Sequence, residues 1–273
     1  MTARIIAVAN RKGGVGKTTT TVNLAAELAG RGHRVLVVDL DPQGHAGLGL
    51  DVVVSRSEPS VHQVFGDGRV DLTLAVKKSC VTDVDVLPAQ HEFDVHGAVN
   101  DPLILARGLA GFEDLYDEIV IDTSPSIDVT TVSALTAAHY VLIPTQLHHL
   151  AYDGIVRFSK VLFKVASMIN RRFTDLAIVP VQIDIRTNLQ RIVLAKLLKE
   201  FGPKRILRGI RTDISLAEAF GSRTPVRLYR PHSRAATDYA LLADDILSLW
   251  TYDRRRPDPA DRRAPTFDTA PAA

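Results

Sequence analysis

One cysteine, one tryptophan and two methionines occur in 273 residues, and aromatic residues make up only 6%. The lone cysteine, Cys80, excludes an internal disulfide framework and any thiolate metal cluster built within one chain, which points to a reducing cytoplasm. An excess of one charge is also missing: 33 Lys and Arg face 31 Asp and Glu, for a formal net charge of +2. Any nucleic-acid surface must therefore be a local patch. Long apolar runs are lacking too. The first, Ile5 to Ala9, is about five residues, whereas a spanning helix needs about twenty, so neither a membrane span nor a signal peptide is read. Histidine ligand spacing is absent as well. His148 and His149 adjoin before a helix, and His33, His45, His62, His91 and His96 have no supporting cysteine or carboxylate pattern. What is present, 46% hydrophobic and 23% charged residues, suits an enzyme with a sizeable core.

Short β-branched runs alternate with helical periodicity. Strands are expected at Ile5 to Ala9, Arg34 to Asp39, Val84 to Leu87, Glu118 to Asp122, Tyr140 to Pro144, Leu176 to Gln182 and Ile206 to Ile210. Near-continuous apolar strands separated by helices predict an α/β fold, a doubly wound and mostly parallel sheet with helices on both faces. A helix is expected from Thr18 to about Gly30, and another from Ser233 to Trp250 with Ala236, Tyr239, Ala240, Leu242, Ala243 and Ile246 facing inward. Residues 1–252 read as one domain, and the Arg/Pro/Ala-rich residues 253–273 as a disordered tail.

Between the first strand and the first helix lies Lys12-Gly13-Gly14-Val15-Gly16-Lys17-Thr18-Thr19. Backbone N–H groups of such a glycine-rich turn, with the positive end of the following helix, cradle a polyphosphate. Lys17 reaches the terminal phosphates and Thr18 can ligate Mg²⁺, so the segment predicts a nucleoside triphosphate site. Arg11 stands where the ordinary loop has its first glycine, and an extra lysine, Lys12, follows it. Because Lys17 serves its own site, Lys12 at the loop's mouth can reach a phosphate held by a facing subunit.

The second landmark is Val35-Leu36-Val37-Val38-Asp39-Leu40-Asp41-Pro42-Gln43-Gly44. Ligands of a doubly wound sheet gather beyond the carboxyl ends of its strands, so Asp39 and Asp41 point toward Mg²⁺ and water. The third is the strand Glu118-Ile119-Val120-Ile121-Asp122, which ends in an aspartate as a Walker B element does.

The Lys12 loop resembles the deviant Walker A box of the ParA/MinD superfamily of dimerising ATPases. Asp39 to Gly44, Val141-Leu142-Ile143-Pro144-Thr145-Gln146, Arg186-Thr187-Asn188-Leu189 and Leu216-Ala217-Glu218-Ala219 are similar to motifs of ParA/Soj-type partition ATPases, over roughly residues 4 to 250. The resemblance implies ATP as cofactor, with Lys17 and Thr18 on phosphate and Mg²⁺. Asp41 would position the attacking water, and Asp39 and Asp122 would hold the Mg²⁺ shell. It also implies a nucleotide-sandwich homodimer in which Lys12 contacts the partner's ATP, nonspecific DNA as a ligand, and an activating protein of the ParB or cargo-adaptor kind. Three features depart from the pattern: Ser124-Pro125 where many relatives have Pro-Pro, Ser215 in place of a DNA-contacting arginine, and the unusual stretch His91 to Phe112.

DNA contacts are therefore sought elsewhere. In Tyr152 to Phe173, Ile155, Phe158, Leu162, Val165 and Ile169 form an apolar stripe, and Arg157, Lys160, Lys164 and Arg171 fall within about 60° of one another at 100° per residue. Arg186, Arg205, Arg208, Arg211 and Arg223 add further cations. The expectation is a cytoplasmic, nucleoid-associated ATPase that segregates or positions a cargo. The alternatives are a MinD-like ATPase cycling on a membrane, opposed by the lack of an amphipathic helix in the Pro-rich tail, and an ATP-dependent metabolic enzyme on the same fold.

Overall fold

The computed structural model describes residues 2–66, 71–91, 93–184 and 186–250. Among these residues the strands are β1 (Arg4–Val8), β2 (Val35–Asp39), β3 (Lys77–Lys78), β4 (Val84–Leu87), β5 (Glu118–Asp122), β6 (Tyr140–Gln146), β7 (Asp175–Ile183) and β8 (Ile210–Arg211). They form one sheet in the order β3-β4-β2-β5-β1-β6-β7-β8, parallel throughout except where β3 meets β4. β1, β2 and β5 are buried along their whole length, as strands covered on both faces must be.

The helices are α1 (Lys17–Ala29), α2 (His45–Leu48), α3 (Ile104–Leu109), α4 (Val129–Ala137), α5 (His149–Met168), α6 (Asn188–Phe201), α7 (Ser215–Gly221), α8 (Val226–Tyr229) and α9 (Arg234–Leu249). Alternate side chains of β1 enter two separate cores. Ile5 and Ala7 pack with residues of α3 to α6, whereas Ile6 and Val8 pack with those of α1, α7, α8 and α9. α9 starts as expected, with the Ser233 hydroxyl accepting the Ala236 N–H at 3.1 Å, and Tyr239, Leu242, Ala243 and Ile246 are buried.

Strand ends agree with the expectation to within one or two residues, and three features differ further. Instead of a strand over Ile206 to Ile210, Ile206 makes an isolated bridge to Ile178 and β8 holds only two residues. A register shift between Val181 and Ile183, with Gln182 at φ +52°, breaks the pairing there. β3 was not expected, because a two-residue polar edge carries no apolar periodicity. α1 ends at Ala29, one residue from the expected stop, with Gly30 capping it at φ −61° and the left-handed turn at Gly32. Finally α5 ends at Met168, so Arg171 falls in the following turn and leaves the ridge to Arg157, Lys160 and Lys164. The tail expected at residues 253–273 lies outside the described residues.

At the sheet end opposite the glycine loop, Arg4 Nε and Nη2 donate to the two Glu118 oxygens at 2.7 Å each, and Nη1 donates to the Trp250 carbonyl at 2.6 Å. His33 Nδ1 lies 2.9 Å from the same carboxylate. This buried group joins β1, β5 and the end of α9. Arg4→Met removes the cation that matches the buried Glu118 carboxylate, so it should cost about 3–5 kcal/mol in urea unfolding. Unchanged stability would show that the pair is replaceable by packing.

Candidate functional site

The register of the central strands gathers the acidic residues. Asp122 stands opposite Val8 on β1 and opposite Asp39 on β2, so the carboxyl ends of three strands meet where the glycine loop leaves β1. Gly14 and Gly16 turn the loop through left-handed conformations, at φ +71° and +76°. Asn10 fastens it, its Nδ2 donating to the Pro144 carbonyl at 2.8 Å while its Oδ1 accepts the Lys12 N–H at 3.1 Å.

Gly13, Gly14, Gly16, Lys17, Thr18 and Thr19 line a cavity of about 320 Å³, together with Asp41, Gln43, His45 and Pro125. A Cβ built on any of the three glycines would meet no atom within 4 Å, so the cradle is open. Lys17 is buried, and among the described residues its Nζ hydrogen-bonds only the Lys12 carbonyl, at 3.5 Å. Burial holds its pKa below the ordinary lysine value, and attraction to Asp122 and Asp41 partly offsets this. A buried ammonium with a single long protein contact, placed at a helix N-terminus, has its donors left for an anion. The donor set therefore fits a polyphosphate.

The three aspartates differ in setting. Asp122 accepts from the hydroxyls of Thr18 at 2.7 Å and Thr21 at 3.1 Å. Asp39 accepts the backbone N–H of Gly47 at 2.9 Å and of Asp41 at 3.2 Å. Both carboxyls are fully buried. Burial, reinforced by neighbouring carboxylates, pushes Asp122 up to about 7 and Asp39 well above the usual carboxylate range. Asp41 instead stands on the cavity wall, with Oδ1 accepting the Gln43 N–H at 3.0 Å.

Lys12 does not line this cavity. Its Nζ donates to Gln146 Oε1 at 2.9 Å and lies 2.7 Å from His148 Nε2. Gln146 in turn donates to Gln182 Oε1 at 2.6 Å.

A second cavity of about 380 Å³ shares Gly16 and Thr19 with the first and extends to Gln182, Leu216, Phe220 and Tyr239. Sequence reasoning singled out Leu216 and Ala217 as a motif but had no signal for the pocket, whose walls come from β7, β8, α7 and α9. Arg211, expected as a DNA contact, lines this cavity and is ion-paired to Asp238 at 2.7 Å.

The other cations also divide. Arg186 is exposed, but both its Nε and Nη2 pair with Asp184, at 2.8 and 2.7 Å, and the arginine holds that carboxyl down to about 2. Arg205 pairs with Asp175, Arg208 with Asp245 and Arg223 with Asp51. Arg211 and Arg223 sit with α7 and α9, on the opposite layer from α5. Arg157, Lys160, Lys164 and Arg171 are exposed and have no carboxylate within 4 Å among the described residues.

Comparison with known proteins follows the same lines. The AAA domain family matches residues 3–176. The chain is 36% identical over 248 residues to the sporulation initiation inhibitor protein Soj of Bacillus subtilis, covering 89% of this chain and 98% of that protein. It is 36% identical over 252 residues to the chromosome-partitioning ATPase Soj of Thermus thermophilus, covering 90% and 96%. Among solved structures it is similar to the cobyrinic acid a,c-diamide synthase of Mycobacterium smegmatis with bound ATP analogue and magnesium. The TM-score is 0.77 at 32% identity, over 93% of this chain and 98% of that one.

A carboxyl with a raised folded-state pKa binds more protons folded than unfolded. Stability of the nucleotide-free protein therefore falls as pH rises from about 4 to about 7, where Asp122 ionises. Asp122→Asn should remove that part of the slope. The variant should exceed wild type by about 1–3 kcal/mol at pH 8, with the difference closing near pH 4. Parallel slopes for the two proteins in urea titrations across this range would refute the assignment.

Proposed function

The chain belongs to the ParA/MinD family of P-loop ATPases, and from that premise we propose that it forms an ATP-dependent dimer that grips DNA without reading its sequence. It is an ATPase of the partition or positioning class. The observation that carries the finer reading is the place of Lys12. This second loop lysine stands outside its own phosphate cavity, held on Gln146 and His148, where a cation serving its own nucleotide would have no use.

In this reading Gly13, Gly14, Val15, Gly16, Lys17, Thr18 and Thr19 hold the phosphates of ATP, and the cavity beside α7 takes its base. Thr18, backed by Asp122, supports Mg²⁺, which screens phosphate charge when bound. Among the described residues no cluster of three or more His, Cys, Asp or Glu could hold a metal by itself, so the ion would be held together with the nucleotide's phosphates. Asp39 acts through the backbone it holds, setting the position of Asp41. Asp41 orients the attacking water, as Lys17 and the partner's Lys12 stabilise charge on the transferred phosphoryl group.

The α5 ridge of Arg157, Lys160 and Lys164, with Arg171 beyond it, supports the DNA role better than Arg186, whose charge is already matched by Asp184. Phosphate contacts of this kind give affinity without sequence choice. A ParB-like or cargo-adaptor protein that stimulates hydrolysis would release the dimer from the nucleoid. Among the described residues no helix is long and apolar enough to cross a membrane.

A second reading, ATP-dependent activation of a small acid, is favoured by the likeness to the M. smegmatis synthase. A cavity of about 710 Å³ lined by Pro42, Val54, Ser55, Arg56 and His91 adjoins the phosphate cavity through Gln43 and His45 and could admit such a substrate. Turnover that requires a small acid and ignores DNA would select this reading.

Lys17→Ala should abolish ATP binding, since the cradle's N–H groups alone cannot offset phosphate repulsion. Lys12→Ala should keep monomeric ATP binding yet fail to dimerise with a nonhydrolysable analogue. Sedimentation of both variants separates the roles, and equal dimer fractions for wild type and Lys12→Ala would end the trans assignment.

Replacing Lys160 and Lys164 together by Glu should weaken ATP-dependent binding to any duplex and spare ATP binding. The log-log salt slope should become shallower by about 0.9 per lost phosphate contact. Arg186→Glu should have the smaller effect. Salt-insensitive or sequence-restricted binding would reject the α5 surface.

A further inference from the structure

His148 is asked to accept two hydrogen bonds at once. As the N-cap residue of α5 it accepts the Ala151 N–H on Nδ1 at 3.1 Å, and its Nε2 faces the Lys12 ammonium at 2.7 Å. A neutral imidazole has one bare nitrogen, and a protonated one has none. Burial, Lys12 and His149 all keep the ring's pKa below the ordinary value, so it is neutral near pH 7. Both contacts therefore cannot be hydrogen bonds in the same molecule.

The competition has a clear winner while Lys12 is in place. A bond from an ammonium is roughly twice as strong as one from a neutral amide. The Ala151 N–H also has a second acceptor, the His148 carbonyl at 3.0 Å, and so survives the loss of Nδ1. Lys12 is held in register by Gln146, whose amide is oriented by its bond to Gln182. The bare nitrogen is then Nε2, and the ring proton sits on Nδ1, against the Ala151 N–H.

We infer that His148 is a positioning residue with two alternative tasks: it holds Lys12 in the monomer, or it caps α5 once Lys12 has left. When Lys12 departs, the ring loses its Nδ1 proton to water and gains one on Nε2, with no net change of charge. Nδ1 is then free to cap the helix that carries Arg157, Lys160 and Lys164. The consequence rests on the function proposed above: withdrawal of Lys12 to a partner's ATP completes the N-terminus of the DNA-facing helix, linking nucleotide state to that surface.

The tautomer is directly readable. In the ¹⁵N-labelled full chain without nucleotide, long-range ¹H–¹⁵N spectra, with His148→Ala identifying the ring, should show Nδ1 protonated and Nε2 bare. In Lys12→Ala the two signals should exchange character. The same tautomer in wild type and Lys12→Ala overturns the inference. Adding a nonhydrolysable ATP analogue with Mg²⁺ to wild type should produce the Lys12→Ala pattern. If Lys12→Ala switches but the analogue does not switch wild type, the His148 assignment stands and the trans role of Lys12 is what fails.

Discussion

The contact between Asp122 and Thr18, 2.7 Å across a fully buried carboxyl, is the constraint on which the site depends. It fastens the first turn of α1 to the end of β5, and Thr21 adds a second hydroxyl one turn on. With the buried Val15 side chain and the Asn10 hydrogen bonds, it fixes the glycine loop and the Lys17 that follows it against the strand ends. The cost is a carboxyl in low dielectric beside Asp39 and near Asp41. Hydroxyl donors and the Lys17 ammonium offset that cost only in part, which is why its pKa stays high. A bound cation would relieve the same repulsion.

Around this anchor the loop's two lysines are separated by burial and by partner. Lys17 is buried in the cradle, and Lys12 projects to Gln146 and His148 at the ends of β6 and the start of α5. One sequence segment therefore addresses two places. The division follows from Gly14 and Gly16, whose left-handed conformations turn the loop between the two side chains. The elements Lys12 touches lead into α5, whose exposed cations lack carboxylate partners among the described residues.

Much of this was legible in the residues. The β-branched runs placed six of the strands, and the loop, the Asp39-Asp41 pair and Asp122 followed from their position after those runs. Ser233 marked the start of α9 because its hydroxyl is a local cap. What could not be read were features made by long-range pairing. The two-residue β3, the bulge at Gln182 and the early end of α5 carry no periodic signal, and Arg171 was put on a ridge that the turn after Met168 denies it.

The charged residues show where the boundary lies. By itself the sequence determined which groups gather at the carboxyl ends of the strands, since Lys17, Thr18 and the aspartates are tied to those ends by local order. Tertiary structure alone decided which cations are spent. Arg211 and Asp238, Arg223 and Asp51, and Arg208 and Asp245 are far apart in the chain yet form pairs, while Arg157, Lys160 and Lys164 face outward unmatched. The reason is physical: helical periodicity tells which face a residue occupies, but whether its charge is neutralised depends on which distant element folds against it.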